Sequence, residues 1–302
     1  MIPIRYNDAI GKKKLVKICD EMLGKCNKTK IAELDDWCEN NICLDGKNYK
    51  YKDVVLADYP TLERIKNLPT IQNYKNYLAT LRANKQTNPL SAYLIGTLYE
   101  THVREIKDML VEKLEIAVCP YCNRAFIDSV HDRRTYQLDH FFNKDDYPIL
   151  AASFYNLVPC CYGCNYIKRK ESFSYSPHNP DYLHADELTD FDIDISSMDY
   201  IRNKDHFEVV IDADPIMAQN IDILKLENLY SLHKADVQET IRRRIIYPDE
   251  YVDDVFNHYR GLFSSKDEVE HMIYGYSRGE EVYKHEPLAK MRSDIARHNY
   301  GV

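Results

Sequence analysis

The chain has 302 residues, 44% hydrophobic and 29% charged, with a formal net charge of −8, the profile of an ordinary globular protein with one large domain or two to three small ones. No run approaches the roughly 18 apolar residues of a membrane span, and Met1-Ile-Pro-Ile-Arg-Tyr6 has no apolar leader, so a cytoplasmic location without a membrane partner is expected. The acidic balance excludes a surface coated with phosphate-binding cations, so any contact with nucleic acid must be local or shared with a partner.

From about Lys12 to Ile116 the apolar spacing is helical. Leu15, Ile18 and Met22 share one segment, Val54, Val55, Leu62 and Ile65 fall in others, and Leu90 to Leu114 reads as one long amphipathic helix with Asn88-Pro89 at its start. From Ala117 to about Tyr182 that period is lost. Tight turns, aromatics and three of the twelve prolines (Pro120, Pro148, Pro159) predict hairpin, loop and one short helix there. Beyond Asp181, alternation in Phe191-Asp-Ile-Asp-Ile195 and Phe207-Glu-Val-Val-Ile211 predicts two strands, and helical spacing resumes from about Ile216. The expected fold is therefore mainly α with an embedded α+β core: a helical region at 1–116, a central region at 117–182, and a mostly helical region at 183–302 suited to docking a partner.

The central region holds the residues that carry chemistry. Cys119-Pro-Tyr-Cys122 and Cys161-Tyr-Gly-Cys164, with 38 residues between them, have the spacing of two knuckles that close a tetrahedral zinc site. A redox CxxC is the competing reading, but such motifs come as a single pair heading a helix in a βαβ context. The other five of the nine cysteines (Cys19, Cys26, Cys38, Cys43 and Cys160) read as packed or surface thiols, since a reducing compartment argues against a disulfide framework.

Asp139-His140 follows the alternating Tyr136-Gln-Leu138, which places the pair at the end of a strand. Neighbours on a strand face opposite ways unless it bends, so one can hold a metal while the other reaches a water. Taken alone, such a pair is more often built around a hydrogen-bonded structural histidine. The same holds for His131, His178 and His184, although Ser176-Pro-His178-Asn-Pro180 forms a loop able to approach the site. Tyr121, Tyr162 and Tyr166 suit base stacking and core packing equally well. Arg242-Arg-Arg244 and the other basic clusters are, singly, more often solvated helix faces than phosphate tracks.

Taken together, these pieces resemble the HNH endonuclease signature: CxxC (Cys119/Cys122), an apolar-Asp-His-apolar strand (Leu138-Asp139-His140-Phe141), Asn156-Leu157, then CxxC-Asn-x-x-Lys (Cys161/Cys164-Asn165 to Lys168). Order and spacing agree across roughly 50 residues. The wording Leu-Asp-His-Phe-Phe-x-Lys, with Tyr147-Pro-x-Leu-Ala151 and Ser153-Phe-Tyr-Asn-Leu-Val-Pro159, is similar to the PtuB-like subgroup, the nuclease subunits of Septu antiphage systems. The chain departs from that subgroup at Asn143, where Pro is usual, and at Cys160, where Ser is usual. The second departure leaves open whether Cys160 or Cys161 is a zinc ligand, with the knuckle spacing favouring Cys161.

The resemblance implies a ββα-metal fold stapled by a four-cysteine zinc site and flanked by helical regions. It implies that Asp139 and Asn165 ligate a catalytic Mg²⁺ or Mn²⁺, that His140 is the general base, and that Asn156 braces the loop carrying His140. Lys168 is expected at a phosphate or, equally, in solvent. The implied substrate is DNA and the implied partner an SMC/ABC-like ATPase (PtuA-like). Two other classes compete: a zinc-stapled nucleic-acid-binding module without catalysis, which would not need Asp139, His140 and Asn165 together, and a protein-interaction subunit with a vestigial core.

Overall fold

A computed structural model describes residues 1–6, 10–130, 133–182, 184–276 and 279–298, so His131 lies outside the described residues. Helices account for 57% of the chain, with small two-stranded antiparallel sheets among them, and none of the described helices is long and apolar enough to cross a membrane. Two compact units form: one from Met1–Ile2, Ala117–Phe126 and Tyr182–Val302, the other from Pro3–Ile116 and Ile127–Asp181. Their limits differ from the three consecutive regions read from composition, because each unit gathers segments that are distant in the chain.

In the unit built from Pro3–Ile116 and Ile127–Asp181, the helical periodicity of the first hundred residues becomes the helices Lys12–Gly24, Lys28–Asn41, Tyr51–Leu56, Tyr59–Asn67 and Pro69–Ala83. Leu15, Ile18, Met22, Val54, Val55, Leu62 and Ile65 are all buried. The helix starts are set locally. Asn27 and Asp58 accept hydrogen bonds from Lys30 N and Thr61 N, caps of about 1 kcal/mol each. Asn88 likewise caps the long helix, accepting from Ser91 N at 3.0 Å, with Pro89 in the first turn. This helix is interrupted, running Pro89–Ala92, then a π-helical stretch Tyr93–Val103, then Arg104–Glu112. Leu94 and Tyr99, five residues apart, are both buried, as i to i+5 hydrogen bonding allows.

The short elements of the same unit are strands β1 (Tyr136–His140) and β2 (Leu157–Cys161), followed directly by helix α1 (Tyr162–Lys168). The strands pair antiparallel with Leu138 opposite Pro159 and His140 opposite Leu157. Long-range hydrogen bonds fasten the segments that flank them: Ser153 Oγ, between the strands, donates to Val54 O at 2.9 Å, and Ile4 N donates to Pro177 O, beyond α1, at 2.7 Å.

His178, a candidate by its loop position, is a core residue here. Its ring stacks on Tyr6 at 5.0 Å, its Nε2 meets Leu157 O at 2.9 Å, and burial pushes its pKa down to about 4. The folded pKa is thus below that of the unfolded chain, so this stability is present above pH 6.5 and lost as pH falls toward 4. Between pH 7 and pH 5 the loss attributable to His178 is expected to be roughly 2 kcal/mol. Urea titrations of wild type and His178→Gln at the two pH values measure it; equal losses would show that His178 is not the source.

In the other unit, β3 (Thr189–Ile195) pairs antiparallel with β4 (Phe207–Ala213), in the region where alternation predicts strands, with Phe191 opposite Ile211 and Ile195 opposite Phe207. Helix α2 (Ala289–Arg297) holds that hairpin through buried polar contacts. Asp294 accepts from Phe191 N at 3.1 Å and from Lys290 Nζ, while Lys290 also donates to Thr189 O at 2.7 Å. Ala117–Phe126 joins this unit because its backbone is bonded there. Ala117 N and Val118 N donate to Lys284 O (2.8 and 3.0 Å), Asn123 Nδ2 to Tyr283 O (2.7 Å), and Tyr230 hydroxyl to Cys122 O (2.6 Å). The Arg242-Arg-Arg244 triplet is engaged inside the unit, on Ile201 O, Glu239 and Asp249.

Candidate functional site

The first cysteine pair sits in a tight turn, and the second spans the end of β2 and the first turn of α1. Asn123 N donates to Cys119 O at 2.8 Å with Asn123 at φ 47°, a left-handed conformation that asparagine tolerates well, and Cys164 N donates to Cys161 Sγ at 3.4 Å. The sulfur atoms of Cys119, Cys122, Cys161 and Cys164 all lie within 4.8 Å of one another. A tetrahedron with zinc–sulfur bonds of about 2.3 Å sets sulfurs about 3.8 Å apart, so these four residues fit a zinc ion with little movement. Cys160, in β2 opposite Gln137, is buried outside the cluster, and Cys161 is the member that completes it.

Beside β1 and α1 opens a cavity of about 1040 Å³, lined by Asp139, His140 and Asn165 together with Tyr99 and Gln137. Asp139 and His140 are adjacent on β1, yet both line it. The lining also carries six cations (Arg104, Lys107, Arg134, Lys144, Arg169 and Lys170) against the additional carboxylates Glu100, Asp145 and Glu171. Several of the cations are engaged: Arg104 and Lys144 on Glu100 (2.7 and 3.5 Å), Lys170 on Asp145 (2.6 Å), and Arg134 on Asp108. Among the described residues, no carboxylate lies within ion-pair distance of Lys107 or Arg169.

His140 is held from two sides. Its Nε2 lies 3.1 Å from Ala151 O, which makes Nε2 the protonated nitrogen and gives Nδ1 the lone pair, and the ring packs edge-on against Tyr99 at 4.4 Å. Burial, reinforced by the Lys144 charge, pushes its pKa down to about 3. Asn156 fixes the loop beyond β1 with both ends of its amide. Its Oδ1 accepts from Phe142 N at 2.7 Å, and its Nδ2 donates to Phe142 O and Leu150 O at 3.2 and 3.0 Å.

Lys168, read from the sequence as reaching a phosphate or solvent, is fully buried. Its Nζ lies 3.0 and 3.2 Å from the two Asp139 carboxylate oxygens and donates to His140 O and Phe141 O at 3.1 and 3.4 Å. The ammonium compensates the buried Asp139 and ties α1 to the end of β1. Asn165 donates through Nδ2 to Gln137 Oε1, which turns its amide oxygen away from Gln137. Asp139 and Asn165 thus offer a carboxylate and an amide oxygen, donors that suit a hard divalent cation, although the carboxylate would be shared with Lys168.

Tyr121 is fully buried and so unavailable for stacking, whereas Tyr162 and Tyr166 are exposed. The sequence did not single out Tyr99, Lys107 or Gln137. Gln137 had a legible signal, since it is two residues from Asp139 on β1 and shares its face. Tyr99 depends on the π-helical stretch, which no local pattern announces.

Comparison with protein-family models, curated proteins and solved structures returned no match.

Proposed function

We propose that this chain is a metal-dependent HNH-type endonuclease hydrolysing phosphodiester bonds in DNA, and the nuclease effector of an antiphage complex with an SMC/ABC-like ATPase. The observation that carries the reading is the convergence of Asp139, His140 and Asn165 on one cavity whose lining is rich in cations. His140 has the placement of a general base: its Nε2 is engaged by Ala151 O, which leaves Nδ1 to take a proton from the attacking water. Asp139 and Asn165 would hold Mg²⁺ or Mn²⁺, which when bound neutralises charge building on the pentacovalent phosphorus and the departing 3′ oxygen. Lys168 keeps Asp139 in place, Asn156 keeps the His140 loop in place, and the four-cysteine cluster would hold zinc as a purely structural ion. The ATPase partnership rests on the sequence resemblance and on the net charge of −8, which suits a nuclease that borrows DNA-binding surface from a partner.

Plasmid cleavage with and without added Mn²⁺ tests the assignment. His140→Ala is expected to slow cleavage by about 10²- to 10⁴-fold, the usual contribution of a general base. Equal cleavage by wild type and variant, or none by wild type with an ATPase partner present, overturns the catalytic assignment.

A further inference from the structure

Helix α1 carries two aromatic side chains that hydrolysis does not use. Tyr162 and Tyr166, one helical turn apart, stack with ring centroids at 5.9 Å and an interplanar angle of 15°, and they are 62% and 54% exposed. The Arg169 guanidinium lies 4.7 Å over the Tyr166 ring. Arg169 holds that place from a strained backbone, φ 47° and ψ −110° at the end of α1, a conformation side-chain-bearing residues avoid and one that clusters at functional sites. The stack adjoins the cavity: Tyr166 follows Asn165, and Asn165 and Arg169 both line it.

We propose that Tyr162, Tyr166 and Arg169 form a stacking platform for an unpaired nucleobase of the strand whose phosphodiester enters the cavity, making single-stranded or locally melted nucleic acid the preferred substrate. This deepens the nuclease reading and rests on it for the identity of the strand. Two features commit the platform to a nucleobase. It is continuous with the cavity through Asn165 and Arg169, so a strand with its phosphate at Asp139 and His140 carries a neighbouring base past Tyr166. Lys107 and Arg169, which have no carboxylate within ion-pair distance among the described residues, supply charge for the flanking phosphates. The planar surfaces such a stack leaves open, an aromatic ring or a guanidinium, accept any base, because every base presents a π surface. A base in a duplex is already stacked on its neighbours and cannot use it.

Binding to fluorescein-labelled strands, with no divalent cation added, tests the platform on the full chain. The probes are an oligothymidylate of about 20 nucleotides, a strand of the same length with abasic residues in place of thymidines, and a duplex of that length. Tyr166→Ala is expected to weaken binding of oligothymidylate about tenfold and to leave the abasic strand unaffected, while Tyr166→Phe, which keeps the ring, binds like wild type. The duplex is expected to bind wild type more weakly than oligothymidylate does. Equal losses on both single strands, no loss on either, or no binding by wild type overturns the platform; no loss on either would leave the stack to a protein partner. Cleavage in Mn²⁺ is scored separately. If wild type cleaves and Tyr166→Ala shows no base-dependent loss, the platform falls and the nuclease reading stands. If the base-dependent loss appears and wild type never cleaves, even with an ATPase partner present, the platform stands and the nuclease reading falls.

Discussion

Cys122→Ser is expected to lower bound zinc from about one ion per chain to well under half of that, and to lower the thermal midpoint by about 10 °C. The cause is chemical. Zinc is held by deprotonated sulfur, a serine hydroxyl does not ionise near neutral pH, and a structural ion that binds only the folded chain contributes its binding free energy to folding. Cys160→Ser serves as the control, because Cys160 lies outside the cluster and its replacement is expected to leave zinc unchanged. Elemental analysis with calorimetry on the two variants decides the matter. Unchanged zinc in Cys122→Ser would sink the four-thiolate site, and zinc lost from Cys160→Ser would move the fourth ligand by one residue.

Lys168→Met is expected to destabilise the protein by about 3–5 kcal/mol, because it removes the ammonium facing a carboxylate that is itself only 3% exposed. Methionine fills similar volume, so the loss is electrostatic rather than a cavity effect. The double variant Asp139→Asn/Lys168→Met removes both charges and is expected to regain much of that stability, as buried ion pairs do when both partners are replaced. Denaturant unfolding of the wild type, both single variants and the double variant gives the coupling. A solvated Lys168 would lose under about 0.5 kcal/mol on replacement, and strictly additive losses would show that the two side chains do not interact.

The helices of the first hundred residues were legible because their signals are local. Apolar residues at helical spacing and caps such as Asn27, Asp58 and Asn88 act within one or two turns. The two strands around Phe191 and Phe207 were legible for the same reason, through alternation of period two. Less visible was the route of the chain between units. Ala117–Phe126 has nothing in its composition to assign it to the unit of Tyr182–Val302; hydrogen bonds to Lys284, Tyr283 and Tyr230 do that, across more than a hundred residues.

For the candidate site, the sequence by itself determined the inventory: two cysteine pairs spaced to share one ion, an Asp-His pair at a strand end, Asn156, and Asn165 one residue beyond the second pair. Each is set by short-range spacing, which survives in a linear string. Only the tertiary structure decided what surrounds these groups. It selected Cys161 over Cys160, aimed Asn156 at the loop beyond β1, buried Lys168 against Asp139, buried Tyr121, and left Tyr162 and Tyr166 in solvent. The reason is that burial and charge pairing depend on partners elsewhere in the chain. Lys168 reads from sequence as a solvated basic residue and becomes a buried counter-ion only because folding brings it to residues 28 and 29 positions away.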